Sequence, residues 1–212
     1  MMASNSFPGL IHLDETLLVT LKPAGLLSVP GRGSDKQDCL SARIQQEFSN
    51  ARVVHRLDMA TSGLMVFARG VEMQRHLSQM FREREVTKRY IAVVEGRLGA
   101  AGEIALPIAA DWPNRPKQKV DILTGKPSLT RYRLLAYDAS ADTSRVELEP
   151  VTGRTHQLRI HMAAIGHPIL GDSLYGGKSA DCAARLLLHA CELSFRHPLN
   201  RLHLSFEQMP PF

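Results

Sequence analysis

The pattern of apolar and polar positions predicts more strands than helices, many of them consecutive. Residues 12–22 alternate loosely around Leu17, Val19 and Leu21, a strand broken by Lys22-Pro23-Ala24-Gly25. Residues 26–29 form a brief extended piece before the turn Pro30-Gly31-Arg32-Gly33. Asp38 predicts the cap of a short helix with Leu40, Ile44 and Phe48 on one face. Residues 71–84 have helical spacing through Met73, Leu77, Met80 and Phe81, with Arg75, Arg82, Glu83 and Arg84 on the other faces. Residues 88–95 alternate as a strand with Tyr90, Ala92 and Val94 on one side, and 96–102 read as a linker or tight turn. Residues 130–137 and 145–149 predict a hairpin around 138–143. Thr155 predicts the cap of a helix with Leu158, Met162 and Ile165 on one face, stopped by Gly166 and Pro168. The last strands fall at 186–195 and 202–206. Together these elements predict an α+β fold, a mixed and largely antiparallel central sheet flanked by helices.

The rest of the chain is organised around residues 53–67, Val-Val-His-Arg-Leu-Asp-Met-Ala-Thr-Ser-Gly-Leu-Met-Val-Phe. Two apolar runs enclose a polar loop, which is how a fold presents reactive groups on a rigid support. For an arbitrary aspartate the commoner role is solvated or turn-capping, and Thr61, Ser62 and Gly63 suit a turn. A carboxylate between two strongly apolar strands is also partly desolvated and needs a cation to stay ionised. For Asp58 the best candidate cation is Arg154, because a guanidinium holds a carboxylate through two parallel hydrogen bonds. Arg154 leads into a predicted helix, an unfavourable place for a cation, which suggests another reason for its presence. Tyr90 suits either strand packing or a platform for a nucleobase. Arg56 lies two residues before Asp58 and, in an extended segment, projects to the same side.

Composition narrows the classes. The net charge is +5 and the pI near 9.3, which permits an acidic partner without requiring one. Residues 111–119, Asp-Trp-Pro-Asn-Arg-Pro-Lys-Gln-Lys, form a rigid basic loop that sets the only tryptophan among Arg115, Lys117 and Lys119. Cys39, Cys182 and Cys191 are odd in number and widely spaced, which argues against a disulfide framework and for a reducing compartment. No segment approaches the roughly 20 apolar residues of a membrane span. The polar N-terminus has no apolar signal core, so the expected location is the cytoplasm. Residues 1–11 read as a short tail and 12–212 as a single domain, expected to be a monomer. His156 and His161 are five apart and off a shared helix face, and Cys182, His189 and Cys191 lack zinc spacing. Glu147 and Glu149 share a strand face without forming a glycosidase pair. The missing glycine-rich loop argues against a kinase reading of residues 55–58.

His55-Arg56-Leu57-Asp58 followed by Thr61-Ser62-Gly63 resembles the signature of the RluA family of pseudouridine synthases. Lys22-Pro23-Ala24-Gly25-Leu26, Lys88-Arg89-Tyr90 and Gly153-Arg154-Thr155-His156-Gln157-Leu158-Arg159 resemble three further motifs of that family, in its order. The resemblance implies the pseudouridine synthase fold with an RNA-binding cleft, and isomerisation of uridine to pseudouridine without cofactor or metal. It implies Asp58 as the catalytic carboxylate, Arg154 as its ion-pair partner, Tyr90 as the ring stacked on the target base and Leu158 as an apolar contact. Arg56 would fill the space left by a flipped uridine, with Thr61, Arg115, Lys117 and Lys119 as further RNA contacts. Residues 25–31, 81–85 and 111–120 are similar to one bacterial member, which implies a 23S rRNA hairpin and the anticodon stem-loop of some tRNAs as substrates. The same chemistry on one RNA class is the alternative. Some relatives carry an N-terminal S4-type RNA-binding domain, for which the short tail leaves no room. A non-catalytic RNA-binding relative would be marked by loss of Asp58, which is present.

Overall fold

The computed structural model describes residues 9–212, and within them twelve strands and three α-helices. The expected tail lies outside the described residues as far as residue 8, while Leu10 and Ile11 already belong to the first strand. The fold is α+β and its strands pair mostly antiparallel, as the pattern predicts. The chain divides into two compact units. The first runs to Thr87 and resumes over Ala190–Met209; the second comprises Lys88–His189 and Pro210–Phe212.

In the first unit, β1 (Leu10–Leu13) and β2 (Leu17–Lys22) form a hairpin, and β2 pairs antiparallel with β4 (Ser62–Arg69). β3 (Ala51–Val53) pairs with the far end of β4, and β11 (Leu188–Arg196) joins β4 and carries β12 (His203–Glu207). Leu64, Val66 and Ala68 of β4 share a core with Leu17 and Val19, with Leu193 and Phe195, and with Met73, Leu77 and Met80 of α2 (Val71–Glu83). Each of the larger side chains among them, fully buried, contributes about 1.5–3 kcal/mol. Met65 and Phe67, on the other face of β4, are buried too. A strand covered on both faces reads as an unbroken apolar run rather than an alternation.

Three local expectations are corrected here and in the second unit. The strand predicted over 12–22 is two strands, because Asp14 turns the chain: its Oδ1 accepts from the Thr16 amide, the Thr16 hydroxyl and the Leu17 amide. Burial alone would raise the Asp14 pKa, but hydrogen bonds from His12, Thr16 and Leu17 outweigh it and hold it at about 2. Helix α1 (Leu40–Glu47) is capped by Cys39, whose sulfur accepts from the Ala42 amide, while Asp38 forms a two-pronged ion pair with Arg43. Helix α3 (Gln157–Ala164) is preceded by His156 in the left-handed region at φ 55, and Thr155 does not cap it.

In the second unit, β5 (Thr87–Glu95) pairs with β10 (Thr143–Pro150), β10 with β9 (Thr130–Asp138), and β9 with β6 (Ala101–Ile104), all antiparallel. Along β10, Ser144, Val146, Leu148 and Pro150 point inward and Arg145, Glu147 and Glu149 outward. The outer face carries a charge ladder, Glu147 with Arg133 at 3.1 Å and Glu103 with Arg131 at 2.8 Å, which gives both glutamates a structural use. A separate two-stranded ribbon, β7 (Ile108–Ala110) and β8 (Gln118–Val120), projects the basic loop.

Candidate active site

Asp58 sits in a tight turn whose Thr61 amide donates to the Asp58 carbonyl at 3.1 Å. Exposure alternates along the approach: Arg56 is exposed, Leu57 buried, Asp58 half-buried. The turn is held by side chains that grip its backbone. The buried Ser28 hydroxyl donates to the Leu57 carbonyl at 2.6 Å and accepts from the Leu57 amide at 3.1 Å. Lys22, with no solvent exposure, donates its ammonium to the carbonyls of Pro23, Leu26 and Met59 at 2.7–3.0 Å. The Gly25 amide also reaches the Met59 carbonyl, at 2.9 Å. The residues on either side of Asp58 are therefore both locked to the segment 22–28.

His55 secures the approach. Where the β3–β4 ladder ends at Val53, the His55 Nε2 takes over as acceptor for the Val66 amide at 3.0 Å, and its ring stacks on Phe81 at 4.4 Å. An imidazole that accepts at Nε2 is neutral with its proton on Nδ1. After the turn, β4 departs backbone to backbone against β11: a Cβ on Gly63, at φ +126, would stand 2.3 Å from the Ala190 carbonyl. Thr61, expected as an RNA contact, is only 2% exposed. It belongs to the foundation of the turn rather than to an accessible surface.

Arg154 lies in the second unit, in the turn that precedes α3, and is exposed. Its guanidinium makes two long contacts to the Pro127 carbonyl, 3.4 Å each. The turn itself is held by Gln157, 3% exposed: its Oε1 accepts from the Arg154 amide at 3.0 Å and the Thr152 hydroxyl at 2.7 Å. Its Nε2 donates to the Leu129 carbonyl and the Thr130 hydroxyl oxygen. Gln157 thus ties the turn before α3 to Leu129 and Thr130, while no side chain caps the helix itself. His161 continues the chain, bonded to Thr130 at 2.9 Å and to the Leu106 carbonyl at 2.9 Å. Burial pushes its pKa down despite the Leu106 bond.

A second network braces the same turn. The Tyr175 hydroxyl bonds the His156 Nδ1 at 2.7 Å and accepts from the Gln118 amide at 2.8 Å, so it joins the Arg154 turn to the basic ribbon. Tyr175 is seated by a buried ion pair, Arg159 to Asp172 at 2.6 and 2.8 Å, and Asp172 also accepts from the Leu174 and Tyr175 amides. Burial raises the Asp172 pKa, but Arg159 and those amides outweigh it and hold the carboxyl below its usual range. Lys22, Ser28, Gln157, Tyr175 and the Arg159–Asp172 pair were not singled out for these roles by the sequence pattern. One signal was available: Gly171 and Gly176 bracket Asp172 and Tyr175, and a Cβ on Gly171, at φ +73, would come within 1.9 Å of the Arg185 carbonyl.

Of the other expected residues, Tyr90 is half-buried on β5 opposite Leu148, and Leu158 is 6% exposed in the first turn of α3. Arg115 and Lys119 are exposed and Lys117 half-buried on the ribbon, where Lys119 pairs with Asp121 at 3.1 Å. Arg56, Asp58 and Thr61 thus share one turn of the first unit, while Arg154, Leu158, Tyr90 and the basic ribbon belong to the second. Among the described residues no group of three or more His, Cys, Asp or Glu is arranged to hold a metal ion.

Residues 16–164 match the family model described as RNA pseudouridylate synthase. The chain is 48% identical over 205 residues to the dual-specificity RNA pseudouridine synthase RluA of Escherichia coli strain K12, covering 96% of this chain and 93% of that one. It is 50% identical over 190 residues to the protein of the same name from Yersinia pestis, covering 89% and 92%. Among solved structures it is similar to human RNA pseudouridylate synthase domain containing 1, with a TM-score of 0.80 at 28% identity, covering 100% of this chain and 87% of that one.

Proposed function

Because the chain belongs to the RNA pseudouridylate synthase family, we propose that it modifies two classes of structured RNA, a 23S rRNA hairpin and the anticodon stem-loop of some tRNAs. The enzyme is an RNA pseudouridine synthase, an isomerase. What supports the dual target is the extent of likeness to relatives named for dual specificity, over 96% of this chain.

The reaction breaks the bond from N1 of uracil to C1′, turns the base and joins C5 to C1′. The proton lost from C5 is matched by one gained at N1, so no oxidant, reductant or group donor enters the balance. Asp58 is the carboxylate assigned to act on the nucleoside. Its turn, locked through both neighbouring residues, fits the positional demand of a group that must meet one bond of a large substrate. Arg154 is assigned as the guanidinium that this chemistry needs to keep the acid ionised. A uridine in a stem-loop must leave its stack before its glycosidic bond is reachable, at a cost of a few kcal/mol. Stacking on Tyr90 offsets about 1–3 kcal/mol of that, and the exposed Arg56 beside Asp58 is assigned to fill the vacated space.

Mapping pseudouridine in rRNA and tRNA from cells with and without the gene tests this reading. One site in each RNA class should vanish on deletion and return on complementation. Loss confined to one class would reject the dual target, and no loss in either would reject the assignment to RNA of this kind.

A further inference from the structure

The basic ribbon carries a feature that phosphate binding does not use. Trp112, the only tryptophan of the chain, opens the loop between β7 and β8 and is 67% exposed. Indole is among the most costly side chains to leave in water. Here it is fixed rather than mobile. The Arg115 guanidinium lies 3.2 Å from the ring centroid and covers one face. The loop is closed on itself: Asp111 donates its amide to the Lys117 carbonyl at 3.1 Å, Asn114 to Asp111 at 3.1 Å and Lys117 to Asn114 at 3.0 Å. The Asn114 side chain ties back to the Asp111 carboxylate at 3.0 Å, and Pro113 and Pro116 stiffen what remains.

We infer that Trp112, backed by Arg115, is a stacking platform for an unpaired nucleobase of the substrate RNA, a base other than the uridine that reacts. The inference rests on the enzyme's RNA modification and deepens it, since it adds a specificity-determining contact to the same substrate. Three observations carry it. An exposed π-face on a rigid loop binds a base without paying to order itself. The cations of its loop and ribbon, Arg115, Lys117 and Lys119, outnumber the acids Asp111 and Asp121, so the adjacent phosphates meet a complementary charge. The ribbon is also joined to the active-site turn of its own unit. Gln118 pairs with Ala110, two residues from Trp112, and its amide is held by the Tyr175 hydroxyl that also holds His156, two residues after Arg154. A base stacked at Trp112 therefore registers the RNA against the turn that carries Arg154.

The single tryptophan makes the test direct. Titrating the purified protein with a substrate stem-loop should quench its tryptophan emission in step with binding. Trp112→Ala should raise KM about tenfold with kcat within about twofold, and Trp112→Phe should recover most of that loss. In stem-loops with one abasic position at a time, one position other than the target should abolish the quench, and Trp112→Ala should cost nothing further there. Unchanged emission at saturating RNA, or an unchanged KM for Trp112→Ala on every active stem-loop, overturns the inference. So does an emission change that follows protein concentration without RNA, which assigns the face to a second copy of the chain. Absence of pseudouridine with the unmodified enzyme would instead count against the substrate reading, and the quench reports stacking independently of it.

Discussion

The Asp58 turn and the Arg154 turn are both irregular and polar, yet they are secured by different means. Around Asp58 the fastenings are side chains that grip backbone: Ser28 on Leu57, Lys22 on Met59, His55 on Val66. Around Arg154 side chains are also fastened to one another, Gln157 to Thr152 and Thr130, Tyr175 to His156, Arg159 to Asp172, besides gripping backbone at Arg154, Leu129 and Gln118. The first arrangement fixes where an α-carbon stands and leaves a half-buried carboxylate pointing from it. The second leaves an exposed guanidinium with only two long contacts, but joins its turn to the ribbon that carries the basic loop. One turn is built for position and the other for connection, which suits the roles proposed for Asp58 and Arg154.

The contrast can be broken experimentally. The largest effect should come from Lys22→Met, which strips an ammonium from three carbonyls. The gain from no longer burying a charge offsets part of that, leaving a loss of about 3 kcal/mol in urea unfolding together with most activity. Ser28→Ala should follow, at about 2 kcal/mol, because the backbone amide and carbonyl of the buried Leu57 both lose their partner. Its kinetic signature should be a lower kcat at unchanged KM. Tyr175→Phe should cost about 1 kcal/mol and show the converse, a higher KM at nearly unchanged kcat. Interchanged signatures would collapse the distinction between position and connection.

A smaller effect separates the units by pH. Burial holds the His161 pKa below its ordinary 6.5, so the folded state binds fewer protons than the unfolded chain. The stability tied to a neutral His161 is complete above that value and is lost as pH falls below it. Tm should therefore decline on acidification through pH 6, and His161→Gln, although less stable, should decline less. Equal slopes would remove His161 from the support of the Arg154 turn.

How much of this was legible in the sequence follows from the same contrast. β4 could be read as a strand because burial on both faces made it an unbroken apolar run, and α2 because Met73, Leu77 and Met80 repeat at helical spacing. Asp58 stood out because two apolar runs framed it. The start of α3 differs from the expectation: all of Gln157–Met162 is buried, so no exposed face marks the boundary, and the helix begins without a side-chain cap. Lys22 and Ser28 escaped because the partners that tie them to the Asp58 turn, the Met59 and Leu57 carbonyls, are backbone atoms 37 and 29 residues away, and a carbonyl leaves no mark on the sequence. Tyr175 escaped because the contacts that define it, with His156 and Gln118, are also distant in the chain.

The central claim is that the Asp58 carboxylate performs the chemistry. Its most direct test is pseudouridine formation by purified Asp58→Asn on a substrate stem-loop, with RNA affinity measured on the same preparation. The substitution keeps shape and removes charge, so no pseudouridine should form above background while Kd stays within about threefold. Turnover at the unmodified rate would contradict the claim.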